Sequence, residues 1–244
     1  MKATAPIFDK FTKITAEDDD QTDQIGSFSQ QLVMKDIHFS YKDHIILKGA
    51  SLRIEKRHKY ALVGPSGAGK STVLNLLNTK LVDYQGSILI DDQDYKNLNA
   101  AAIREQIYYL DQDPYIFNDT IENNIKVGQQ TTAADLQKAI KRAGLTSFIK
   151  KMPDGLQTIL SHNGSDLSGG QKQRLVLARG LVSGRSIFLV DEGTSALDQA
   201  SAIKIEDTLI QDPNLTLLMV THHLRDQTAS QLDQVFQLHE QLIS

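Results

Sequence analysis

The 244-residue chain contains no cysteine, so neither disulfides nor thiolate metal sites can hold its fold, and a cytosolic environment is compatible with it. It has no surplus of positive charge either. Twenty-six Lys and Arg stand against 30 Asp and Glu, a formal net charge of −4, and no nucleic-acid partner is expected from that balance. Long apolar runs are missing: stretches such as 187–190 and 217–220 fall far short of the ~20 residues that span a bilayer. The opening Met-Lys-Ala-Thr-Ala-Pro lacks the apolar core of a secretory signal. No internal repeat is visible. What the chain does have is 40% hydrophobic residues, enough to build the core of one large domain or two small ones.

The most informative stretch is Gly64, Pro65, Ser66, Gly67, Ala68, Gly69, Lys70 and Ser71, which fits the phosphate-cradling spacing G-x-x-x-x-G-K-[ST]. The apolar run at 60–63 predicts a buried strand before it. Val73, Leu74, Leu76 and Leu77 predict a helix after it, whose positive N-terminal end faces the phosphates. Glycines permit backbone conformations that a Cβ forbids, so successive N–H groups can turn inward around an anion. Lys70 adds a point charge near the β- and γ-phosphates, and Ser71 offers its hydroxyl to Mg²⁺. Thr72 is grouped with this loop as nucleotide-binding.

Residues 1–30, with their acidic run Glu17, Asp18, Asp19 and Asp20, have the composition of a solvated linker. From Leu32 the pattern turns to strands: Val33, Ile37 and Phe39, then Ile45, Ile46 and Leu47, then Leu52 and Ile54. Alternation with polar breaks predicts an antiparallel layer. Tyr41, at the end of the first strands, can either stack on an adenine or finish a hydrophobic edge; its position supports both. Further strands are expected at 87–90 and 107–110. Segments 120–125, 133–143 and 145–150 have helical period, broken by Gly128, Gly144 and Gly155, which predicts a helical subdomain inserted between strands. Ser168 is placed to cap a helix whose inward face holds Leu175, Ala178, Leu181 and Val182. The unalternating run at 187–190 suits a central parallel strand, and Asp191 and Glu192 stand at its C-terminal end, where open α/β sheets bind ligands. A helix at 199–210 and a strand at 215–220, running into His222 and His223, complete a mostly parallel α/β core.

Taken together, these segments resemble the nucleotide-binding domain of an ABC transporter, over about residues 32–238. Residues 64–71 match its Walker A loop and Gln112 its Q-loop. The run Leu-Ser-Gly-Gly-Gln-Lys-Gln-Arg at 167–174 matches its signature sequence, which is the most specific of the motifs. Residues 187–191 followed by Glu192 match Walker B and the catalytic glutamate, residues 195–198 the D-loop ending at Asp198, and His222 the switch histidine. His222 is preferred to His223 because Leu224 then completes the family's H-x-L pattern. The resemblance implies an α/β fold: a P-loop NTPase core with a mostly parallel sheet, an antiparallel β subdomain and a helical subdomain at about 115–183. The cassette is expected at 31–244, after a 1–30 linker that follows a missing transmembrane domain.

That family hydrolyses ATP with Mg²⁺. The resemblance implies Ser71 and Gln112 as direct metal ligands, with Asp191 holding the metal through water. Glu192 orients or deprotonates the attacking water, and His222 contacts the γ-phosphate and Glu192. Phosphoryl transfer needs charge neutralisation more than covalent chemistry, which gives Lys70 its catalytic part. In the family, Ser168, Gly169, Gly170 and Gln171 meet the γ-phosphate of ATP bound to the opposite subunit. The expected partners are therefore a second nucleotide-binding domain, identical or paralogous, packed head to tail, and a transmembrane domain that holds the pair at the cytoplasmic face of a membrane. Residues 113–125 resemble the exporter-type segment on which membrane domains dock. There Tyr115, Ile116 and Phe117 either form the docking surface or pack under the helical subdomain.

Some features depart from the family. Residues 158–161, Thr-Ile-Leu-Ser, lack the glutamate that exporters commonly carry before the signature, Gly193 replaces a usual proline or alanine, and Arg57-His58 replaces a frequent Pro-Gly turn. The last apolar pattern, at 235–238, lies close to Ser244, so the family's C-terminal helices are expected to be curtailed. Two competing readings remain from sequence: a nucleotide-gated dimerisation module with little turnover, and a soluble ABC protein acting on nucleic acid.

Overall fold

The computed structural model describes residues 25–192, 198–222 and 224–243. The acidic run at 17–20, Gly193, residues 195–197 of the D-loop stretch and His223 lie outside the described residues.

Strands β1 (Gln31–Tyr41) and β2 (His44–Glu55) form an antiparallel hairpin in which Tyr41 faces His44. Leu32, Met34 and Ile37 point to the core while their neighbours are more exposed, the period of a half-buried sheet. After β3 (Lys59–Val63) comes α1 (Lys70–Leu77), whose Val73, Leu74, Leu76 and Leu77 are fully buried; each such side chain contributes roughly 1.5–3 kcal/mol of burial. Strands β4 (Gln85–Ile90) and β5 (Gln93–Asp94) join the first hairpin in a sheet of order β2-β1-β4-β5. Helix α2 (Ala100–Gln106), capped by the Asn99 side chain, leads directly into β6 (Ile107–Leu110).

Four α-helices then intervene, with two short 3-10 turns between the last two: α3 (Ile121–Lys126), α4 (Ala133–Arg142), α5 (Thr146–Ile149) and α6 (Gly169–Val182). The chain returns to the sheet as β7 (Ile187–Asp191), passes through α7 (Gln199–Ile210), and adds β8 (Thr216–Thr221), the short α8 (Asp226–Ala229), β9 (Gln234–His239) and β10 (Leu242–Ile243). The second sheet has the order β10-β9-β3-β8-β7-β6 and is parallel except for the edge strand β10. β7 is buried along its whole length, as its unalternating apolar run predicts.

Two local expectations shift. The face of α6 turned to the core carries Val176 and Leu177 beside Leu175 and Ala178, whereas Leu181 and Val182 are only partly buried. Phe28 lies in the core, and Asp91 accepts backbone hydrogen bonds from Ser29 (2.5 Å), Gln30 (2.7 Å) and Gln31 (3.0 Å). The packed body thus begins ahead of residue 31.

Candidate functional site

In the parallel sheet, β3, β8, β7 and β6 are consecutive neighbours, so their C-terminal ends lie side by side. Each end delivers one part of a polar cluster. The turn after β3 is residues 64–69, and its conformation depends on glycine in two places. A Cβ on Gly64 would stand 2.4 Å from the Leu238 carbonyl oxygen. Gly69, at φ +104, would place one 2.7 Å from Ile46 Cγ2. Helix α1 starts directly from Gly69 with no side-chain cap, leaving its first N–H groups turned toward whatever anion the loop holds. Pro65, Ser66, Gly67 and Ser71 are exposed, Ala68 and Gly69 partly so, and Thr72 is buried beneath them.

Lys70 is 5% exposed, and its ammonium donates to the carbonyls of Gly64 and Pro65, both at 2.8 Å. Burial lowers its pKa below the ordinary lysine value, while Glu192 and Asp191 pull the other way. On its other side Lys70 Nζ lies 3.4 Å from His222 Nδ1, at the end of β8. His222 Nε2 is 2.5 Å from Glu192 Oε1 at the end of β7, and Glu192 Oε2 accepts from Gln112 Nε2 at 3.0 Å, beyond the end of β6. A continuous chain Lys70–His222–Glu192–Gln112 therefore runs across the strand ends. Glu192 holds φ +47, a left-handed conformation uncommon for a non-glycine residue, and its N–H donates to the Val220 carbonyl at 3.1 Å. That strained backbone turns the carboxylate back toward His222 and Gln112. Asp191, 6% exposed, accepts from Ser71 Oγ at 3.2 Å and from the Tyr109 hydroxyl at 3.0 Å. Burial, with the adjacent Asp191 charge, pushes the Tyr109 hydroxyl far above its usual pKa, so Tyr109 stays a donor to that carboxylate.

A family model described as ABC transporter matches residues 47–195, from within β2 to the stretch after Glu192. The chain belongs to the ABC transporter family. It is 37% identical over 213 residues to an ATP-dependent lipid A-core flippase of Desulfotalea psychrophila, covering 85% of this chain and 37% of that protein. It is 38% identical over 200 residues to an iron-sulfur clusters transporter, atm1, of Aspergillus fumigatus mitochondria, covering 80% of this chain and 28% of that one. A solved structure of a bacterial Atm1-family ABC exporter with ATP bound matches with a TM-score of 0.83 and 33% identity, over 92% of this chain and 40% of that chain. The fold is that of an ABC transporter's ATP-binding cassette of exporter type. The chain spans only about a third of the length of these curated relatives.

The remaining ABC motif residues lie on other elements. Ser168 caps α6 reciprocally with Gln171: the Ser168 N–H donates to Gln171 Oε1 at 2.7 Å and the Gln171 N–H to Ser168 Oγ at 3.3 Å. Ser168 and Gly169 are exposed, and Gly170 is partly so. Asp198 caps α7 through the Ser201 N–H at 3.0 Å, and its bonds from Ser201 hold its carboxyl below the usual range. Arg174 of α6 donates to Ser201 Oγ and stands 3.9 Å from Asp198, tying the signature helix to α7. Tyr41 is 47% exposed and meets Phe39 edge-on at 4.9 Å. Its hairpin continues into Ile46, the residue against Gly69.

The docking triplet splits. Tyr115 and Phe117 are exposed, but Ile116 is fully buried and packs beneath Gly164, so it belongs to the core. Ile159, within the stretch that lacks the glutamate, is 69% exposed. Arg179 of α6 donates to the carbonyls of Asn124 (2.8 Å) and Tyr115 (3.2 Å) and lies over the Phe117 ring. Sequence reasoning missed Tyr109 and Arg179, and placed Arg174 in the signature run without its partners. Tyr109 sits in an apolar run that reads as plain core, and nothing in the sequence sets it apart from Tyr108 and Leu110; only the structure shows it partly exposed between those buried neighbours. Nothing in the local pattern around Arg174 or Arg179 reveals their long-range partners.

Proposed function

We propose that this cassette hydrolyses ATP and couples the hydrolysis to an exporter's membrane domain. The observation that carries the reading is the unbroken set of contacts from Lys70 through His222 and Glu192 to Gln112 at adjoining strand ends. On this reading the loop amides and Lys70 hold the phosphates, with Tyr41, on the hairpin whose Ile46 lies against Gly69, available to the adenine. Glu192 has one carboxylate oxygen against His222 and the other against Gln112, which fixes the orientation in which it directs or deprotonates a water. His222, bonded to Glu192 through Nε2, presents Nδ1 toward Lys70 and senses the same phosphate.

The chemistry of the donor set fits Mg²⁺. Among the described residues no group of three or more His, Cys, Asp or Glu forms a metal site. The Ser71 hydroxyl, the Gln112 amide oxygen and the Asp191 carboxylate are the hard oxygens that a phosphate-bound Mg²⁺ takes. When bound, the ion supplies charge neutralisation on the phosphate oxygens. Ser71 and Gln112 would hold it directly, and Asp191, which accepts from Tyr109, would hold it through water.

The exposed Ser168 and Gly169, with Gly170, complete the nucleotide site of a second cassette, giving a head-to-tail pair. Tyr115 and Phe117 face the membrane domain, and the assembly works at the cytoplasmic side of a membrane. Among the described residues no helix is long and apolar enough to cross a membrane.

Glu192→Gln tests the assignment. It should bind ATP within a few-fold of wild type while phosphate release falls by about 10²-fold or more. Unchanged phosphate release would remove Glu192 from the reaction.

A further inference from the structure

A cleft of about 920 Å³ opens between α4, α5, α6 and α7 and shares no lining residue with the nucleotide site. Its walls carry Lys138, Lys141, Arg142, Lys150, Arg174 and Lys204 against a single carboxylate, Asp207. That balance is opposite in sign to the whole chain, whose net charge is −4. Two of the cations are already engaged: Arg142 with Asp212 at 2.6 Å, and Arg174 with Ser201 and Asp198. Among the described residues Lys138, Lys141, Lys150 and Lys204 make no ion pair.

Helix termini account for part of this. Lys141 and Arg142 lie in the last turn of α4 and Lys150 follows α5, where cations complement the negative end of the helix dipole. Lys138 and Lys204 are inside their helices and gain nothing from it. Lys138 also stands three and four residues from Lys141 and Arg142, spacings at which like charges repel. An anion in the cleft would remove that repulsion, and the hydroxyls of Thr146 and Ser147 on the same wall offer neutral donors. The volume is that of a small-molecule site, and its position between helices suits a compact ligand better than a flat surface.

We propose that this cleft binds a compact anion with clustered phosphates. Because Arg174 lines the cleft and also ties α6 to α7, an occupant competes with Asp198 for that guanidinium and so adjusts how the signature helix meets α7.

The probe is inorganic tripolyphosphate, titrated calorimetrically at physiological ionic strength. The protein is first saturated with a non-hydrolysable ATP analogue and excess Mg²⁺, so that the phosphate loop is filled. The wild type should bind one tripolyphosphate per chain, more weakly as salt is raised. The exposed triple substitution Lys138→Gln, Lys141→Gln and Lys204→Gln should weaken this about tenfold or more, with affinity for the analogue unchanged within about twofold. Equal tripolyphosphate affinity in the two proteins, or no binding at about 1 mM, would overturn the proposal. A parallel arm uses vesicles containing anionic phospholipid. Lysine-dependent vesicle binding without tripolyphosphate binding would overturn the compact ligand and assign the lysines to a lipid surface.

Discussion

Arg57 occupies the turn between β2 and β3 with φ +67, a conformation that costs a residue bearing a Cβ about 1–2 kcal/mol. Its N–H is nonetheless used, donating to Thr216 Oγ1 at 2.8 Å, and glycine would keep that bond. Arg57→Gly should therefore raise the unfolding temperature by about 2–4 °C per kcal/mol gained, with a net gain near 1 kcal/mol after the extra unfolded-state entropy of glycine. Scanning calorimetry of the nucleotide-free protein checks this; a lower midpoint would mean that the arginine side chain contributes more than its backbone costs. At this level the phosphate loop was the most legible part of the chain, because its glycines are dictated by backbone clearance that a spacing rule captures. Gly64 and Gly69 have no room for a Cβ, whereas Gly67 has open space and only its φ of +77 calls for glycine. Tyr109 was not legible. A tyrosine in the run Ile107, Tyr108, Tyr109, Leu110 looks like core whether its hydroxyl binds a backbone carbonyl, as Tyr108 does with Val176, or a site carboxylate, as Tyr109 does.

Helix α6 links the signature residues at its N-terminus to the sheet and to the exposed aromatic segment. It lies so close to β6 and β7 that a Cβ on Gly180 would stand 2.5 Å from Tyr108 Cε1 and 3.0 Å from Phe188 Cε1. Those rings are buried and pack against each other at 5.2 Å, so neither can move away cheaply. Gly180→Ala should destabilise the domain by about 1–3 kcal/mol despite alanine's higher helix propensity, measured as a lower urea midpoint with an unchanged slope. A midpoint at or above wild type would show that α6 can lift off the sheet. The glycine reads from sequence as a mild helix defect; only the approach of two aromatic strands from distant positions explains it. Elements with strong caps and period were legible: α7 runs Gln199–Ile210 as expected, with Asp198 as its cap. Short elements such as α2 and β5, whose existence depends on what they pack against, were not.

Across the whole molecule, the parallel order β3-β8-β7-β6 gathers residues separated by more than 150 positions, Lys70 and His222 among them, onto one edge of one sheet. The exposed cap at Ser168 stands at the start of α6, and Arg174 of the same helix lies near Asp198. On the proposed reading, two copies bring that cap to the strand ends of each other, and bound ATP holds them together until it is hydrolysed. Light scattering on Glu192→Gln with saturating ATP and Mg²⁺ examines this without depending on a membrane domain. A mass twice that of the nucleotide-free protein is expected, falling back to the monomer when Ser168→Arg is added. A monomer at concentrations where ATP binding is complete would contradict the shared site.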